Sequence, residues 1–152
     1  MKRSVFVRTS VVVALAGVML AGCGAMRPSQ STEIYEATLS GGEEVPPKAT
    51  GGSGQAEVHY NRNTGMLHYK VTYSGLTGPV TAAHIHGPAA PGANAGVLIP
   101  FTGALNVSPF EGDVHVTPEQ IAQIASGQTY VNLHTAQNAG GEIRGQLRAR
   151  RG

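Results

Sequence analysis

The sequence predicts an all-β domain, an antiparallel Greek-key β-sandwich with one short helix. Three observations predict it. Short segments of alternating apolar and polar residues recur along the chain, 21 glycines and 9 prolines punctuate them, and a single helix-start signature stands at Thr117. The 152 residues suit one ordinary domain. With 41% hydrophobic and only 13% charged residues, the chain can fill a core and lacks the composition of a disordered segment.

The folded domain is placed at 33–149, after a leader (1–22) and a polar tether (23–32), with a short basic tail (150–152) behind it. Glu33 to Leu39 alternates and reads as a first strand. Ser40 to Gly54, rich in Gly and Pro, reads as a long loop. Gln55–Tyr60 and Met66–Tyr73 form the clearest hairpin: Ala56, Val58 and Tyr60 point one way, Leu67, Tyr69, Val71 and Tyr73 answer them, and Asn61–Gly65 supplies the turn. Val80–His86, Val97–Phe101 and Gly112–Val116 are further short strands, with the Gly87–Gly96 loop between the first two. Thr117 then reads as a helix N-cap, with Pro118 at the first helical position and Gln120 closing a capping box. Ile121, Ile124 and Ala125 form one apolar face, and Gly127 stops the helix. Thr129–Thr135 and Glu142–Ala149 close the domain as strands.

The leader carries three of the 11 basic residues. Lys2, Arg3 and Arg8 precede the apolar run Val11–Leu20. That run is shorter than the roughly 20 residues a bilayer span needs and has the length of a signal-peptide core. Leu20-Ala21-Gly22-Cys23 follows and resembles a bacterial lipobox, in which small residues fit the peptidase and the thiol accepts lipid. Cleavage before Cys23 and acylation of its sulfur would anchor the chain in a membrane, at about 0.8 kcal/mol per buried methylene. Gly24, where an inner-membrane retention signal would have Asp, points to the outer membrane where a cell has one. Cys23 is the sole cysteine, so no internal disulfide can form. Outside the leader eight basic residues face nine acidic ones. Four of the eight are Arg144, Arg148, Arg150 and Arg151, and no basic stripe interleaves with aromatics, which argues against a nucleic-acid partner.

Candidate chemistry centres on the 6 histidines. In His84-Ile85-His86 the two imidazoles share one strand face, with Cα atoms roughly 6.5–7 Å apart, and Ile85 faces the other way. His134 is the natural third ligand, because Tyr130, Asn132 and His134 share the polar face of their strand. If the two strands are neighbours, three neutral nitrogens converge, a donor set suited to copper first and zinc second. The alternative is that these imidazoles hydrogen-bond across the sheet. His59 and His68 form a second pair, read as solvated cross-strand neighbours, and His115 receives no role. Glu142, two residues from Arg144, is read as an ion-pair partner or a hydrogen-bond acceptor for loop backbone. Its functional alternative is a carboxylate that holds an imidazole tautomer. Glu44 is read in the same way, as a brace at the Pro46-Pro47 loop, and Asn132 is placed with them beside the ligands.

Several motifs in one order resemble the chordin-type (CHRD) domain family. They are Leu39-Ser40-Gly41-Gly42-Glu43-Glu44-Val45-Pro46-Pro47, Gly75-Leu76-Thr77-Gly78-Pro79-Val80, His84-Ile85-His86-Gly87-Pro88-Ala89, Gly127 to Thr135, and Gly140 to Leu147. The resemblance spans roughly residues 34 to 148. It implies an extracytoplasmic β domain, since the family recurs in bacterial secreted proteins and in chordin, a growth-factor binder. A looser similarity is to the copper-zinc superoxide dismutase sandwich, with its His-x-His strand. The acidic, histidine-rich zinc loop of that enzyme has no counterpart, because Gly87–Gly96 contains no His or Asp.

Three functions follow as expectations. The first is an envelope lipoprotein holding copper or zinc through His84, His86 and His134. The second is a non-enzymatic module that meets an envelope protein or glycan, with structural histidines. The third, a dismutase-type redox enzyme, has the least support, and no nucleophile elbow, phosphate loop, dinucleotide fingerprint or carboxylate pair suggests another enzyme.

Overall fold

The computed structural model describes residues 31–151; the expected leader, the lipobox-like motif and Cys23 lie outside them. Among the described residues nine strands and one α-helix follow in order: β1 (Thr32–Ser40), β2 (Ser53–Asn61), β3 (Met66–Ser74), β4 (Val80–His86), β5 (Val97–Pro100), β6 (Phe110–His115), α1 (Pro118–Ala125), β7 (Tyr130–Thr135), β8 (Ile143–Gln146) and β9 (Arg148–Ala149). The fold is all-β, as expected.

Hydrogen-bonded strands run in the order β5-β4-β7-β8-β1-β2-β3-β6, with β9 pairing β1. Every pairing is antiparallel. The sheet curls so that β5-β4-β7-β8 and β1-β2-β3-β6 share one core. The two halves are stitched at a narrow seam, the single pair Ser40↔Arg144. Gly145 makes the seam possible, because a Cβ there would collide with the Thr38 carbonyl oxygen of β1.

Alternation decides which side chains enter the core. Val58, Leu67, Tyr69 and Val71 come from one half; Ala83, Ile85, Val131, Leu133 and Ile143 come from the other. Tyr69 stacks on Phe101 with ring centroids 4.0 Å apart, and its hydroxyl donates to the Thr102 carbonyl and accepts from the Thr102 amide. The β2-β3 register is the one the sequence predicts, with Val58 opposite Tyr69 and His59 opposite His68. The capping box of α1 forms through Thr117 and Gln120, and Ile124 is fully buried.

One expectation is corrected. The segment expected as one strand over Glu142–Ala149 is two. β8 pairs β7 until the Leu147 amide bonds the Thr129 carbonyl at 2.9 Å, the start of β7 is then used up, and β9 turns to β1. The Arg150 amide extends the β1 pairing by bonding the Ile34 carbonyl, and its guanidinium pairs with Glu36 and Glu57.

Candidate metal centre

Ala83 and Ile85 turn into the core, so His84 and His86 face outward from β4; on β7, Val131 and Leu133 turn inward and Asn132 and His134 face outward. β4 and β7 are hydrogen-bonded neighbours, with His84 opposite Asn132, His86 opposite Tyr130, and His134 opposite Ala82. The diagonal between His84 and His134 therefore runs beside a methyl group, which leaves room for two imidazoles. Ring centroids are 5.0 Å apart for His84–His134, 5.3 Å for His84–His86 and 5.9 Å for His86–His134. One nitrogen from each ring lies within 4.8 Å of the other two. The three histidines singled out in the sequence are brought together.

Backbone carbonyls orient two of the rings. His86 Nδ1 lies 3.0 Å from the Ala95 carbonyl oxygen, and His134 Nδ1 lies 3.0 Å from that of Ala139. A carbonyl only accepts, so both Nδ1 atoms carry the proton and both Nε2 atoms present a lone pair. His134 Nε2 faces His84 Nδ1 at 3.1 Å. His86 Nε2 is buried and has no hydrogen-bond partner. A buried, unpartnered lone pair beside two further imidazole nitrogens is the arrangement a metal ion satisfies, and the donor set is compatible with one.

A wall of stacked groups holds His86. Its ring lies parallel to Tyr130, and the Arg144 guanidinium sits 3.7 Å from the Tyr130 centroid on the ring face. Arg144 donates to Asn94 Oδ1 at 2.9 Å and to the Ala93 carbonyl at 2.8 Å. The Ala95 amide donates to the Tyr130 hydroxyl at 3.2 Å. Arg144 and Tyr130 thus pin the Gly87–Gly96 loop, and that loop delivers the carbonyl that fixes His86.

Burial disfavours charge on all three rings. It pushes His84 down to about 4, helped by its neighbours His134 and His86. His86 and His134 are also lowered by burial, against the opposing hydrogen bonds to Ala95 and Ala139. The cluster is neutral at pH 7 and ready to donate lone pairs.

The carboxylates sit elsewhere than beside an imidazole. Glu142, fully buried, accepts from Thr50 Oγ1 (2.7 Å), the Thr77 amide (2.8 Å), Thr77 Oγ1 (2.6 Å) and Thr135 Oγ1 (2.6 Å). Burial alone would raise its pKa, but the bonds from Thr135, Thr77 and Thr50 outweigh it and hold the carboxyl at about 2. Glu142 is a clamp between two loops and β7: one of its four bonds comes from loop backbone, the Thr77 amide, and three come from threonine hydroxyls, while no ion pair with Arg144 forms among the described residues. Period-two reasoning fails there because Glu142 precedes β8. Glu44 accepts from Asn132 Nδ2 at 2.6 Å, and neither residue hydrogen-bonds an imidazole. Burial raises Glu44, opposed by the charge of Arg144 and by the Asn132 bond. The groups that do orient the imidazoles, the Ala95 and Ala139 carbonyls, have no signature in sequence. Tyr130 and Arg144 left only the weak sign of sharing a strand face with residues of interest.

A model of the CHRD domain family matches residues 35–147. No curated protein and no solved structure matches the chain.

Proposed function

The chain belongs to the CHRD domain family, and from that premise we propose that it is an exported, lipid-anchored protein of the cell envelope that binds one copper ion through His84, His86 and His134. The observation that carries the reading is the unpartnered Nε2 of His86 beside two more neutral imidazoles, all within 4.8 Å. Three nitrogen donors without a thiolate favour copper over zinc by the ordinary affinity order of divalent ions. Holding, delivering or sequestering the ion needs no further catalytic group, and we assign none. Export and anchoring draw on the basic leader, the apolar run Val11–Leu20 and the lipobox at Cys23.

The test is metal analysis of purified protein after equilibration with equal copper and zinc. Wild type should retain one copper more than His84→Ala/His86→Ala/His134→Ala. Equal content in the two rejects the site. For the anchor, Cys23→Ala should move the protein from the membrane to the soluble fraction; an unchanged partition rejects it.

A second reading is an envelope module for a protein or glycan, in which the histidines serve the sheet. It draws on the 3.1 Å His84–His134 bond, which ties β4 to β7 side chain to side chain. It requires the triple variant to melt lower with no change in metal content.

A further inference from the structure

On the outer face of the other half-sheet, His59 of β2 and His68 of β3 are direct register partners, with rings edge-on at 6.4 Å between centroids. Each imidazole is braced by a carboxylate. Glu57 Oε1 lies 2.5 Å from His59 Nε2, and Asp113 Oδ1, opposite His68 on β6, lies 3.1 Å from His68 Nδ1. Glu57 is itself held by Arg150. A carboxylate only accepts, so these nitrogens carry the protons, and His59 Nδ1 and His68 Nε2 are left as lone-pair donors. The carboxylate–imidazole unit is the one that orients a metal-ligating histidine and raises its basicity. Here two such units stand on adjacent strands and line a groove of about 360 Å³ together with Thr32 and Met66. Cβ atoms of directly opposite residues lie roughly 4.5–5.5 Å apart, so side-chain rotation that closes part of the 6.4 Å between the ring centroids would bring both free nitrogens onto one ion at about 2.0–2.1 Å.

We propose that His59 and His68, oriented by Glu57 and Asp113, form a second, surface metal site that takes a divalent copper ion, with water completing its coordination. Two imidazoles with no thiolate favour copper among the first-row ions. The site is built on a different half-sheet from His84, His86 and His134 and does not depend on them.

The experiment is a titration of the full chain with Cu²⁺, read by calorimetry and by electron paramagnetic resonance. His59→Ala/His68→Ala, a change of two partly exposed side chains, should lower the copper stoichiometry of wild type by one. The resonance of His84→Ala/His86→Ala/His134→Ala should show copper coupled to two nitrogens. Glu57→Gln or Asp113→Asn should each weaken that binding about tenfold or more, the usual effect of losing such a brace. Unchanged stoichiometry in His59→Ala/His68→Ala overturns the proposal. Loss of all copper in that variant would support this site and refute the buried centre.

Discussion

His86 and Tyr130 face each other across β4 and β7 with ring planes 5° apart and centroids at 4.9 Å. The contact joins a candidate ligand to the side chain whose hydroxyl receives the Ala95 amide and whose ring carries Arg144. Ring orientation, loop position and ligand tautomer are therefore one coupled arrangement.

Tyr130→Phe keeps the stack and removes one hydroxyl, so it should cost about 1 kcal/mol by urea unfolding and leave copper affinity nearly unchanged. Tyr130→Ala removes the wall and should cost about 3–5 kcal/mol and weaken copper binding at the buried centre. Equal copper affinity in wild type and Tyr130→Ala would show that the stack does not position His86.

Metal-free protein should lose stability as the solution is acidified. His84 titrates near 6.5 in an unfolded chain and is held down at about 4 by burial. The unfolded state therefore binds the proton first, and stability present above pH 6.5 declines as pH falls toward 4. Urea midpoints between pH 7 and 4 measure this. His84→Gln should flatten the profile, and an identical slope in that variant would remove His84 as the cause.

The Glu142 clamp predicts a second acid-labile contribution at lower pH. Its carboxyl is held at about 2 by threonine hydrogen bonds that outweigh its burial, so its stabilisation is complete above about 4.5 and is lost as pH falls toward 2. Glu142→Gln replaces an acceptor oxygen with an amide donor that faces donors. The cost should be about 2–3 kcal/mol, and a change below 0.5 kcal/mol by chemical denaturation would contradict the clamp.

Gly141 adopts φ +125°, and a Cβ there would meet the Asn132 side chain and Glu44 Oε1. Gly141→Ala combines backbone strain with a clash against the Glu44–Asn132 pair, and should cost about 1–3 kcal/mol. Gly140→Ala, where the added methyl meets nothing within 4 Å, is the control and should be nearly silent.

Much of this was legible in the chain alone. Val58, Tyr69, Ile85 and Leu133 alternate with polar neighbours, and alternation is a local property of extended backbone, so the strands and their buried faces follow from it. Thr117, Pro118 and Gln120 start a helix by bonds within one turn, so that start was also local. The pairing of His84 with His86 needed only a two-residue period. His134 was a candidate for the same reason, but its arrival beside them depended on β7 lying next to β4, 50 residues away in sequence.

Local pattern is enough for most of the strands, the helix, the faces of His59, His68, His84, His86 and His134, and the family to which the chain belongs, because these depend on neighbours along the chain. Long-range packing sets the rest: Ala95 and Ala139 fix the imidazole tautomers, Glu142 clamps threonines instead of pairing with Arg144, and the last strand splits at Leu147. Backbone carbonyls are chemically alike at every residue, and a buried carboxylate takes whichever donors the fold brings within reach. Such choices are made by packing across the curled sheet, where no pattern of adjacent letters records them.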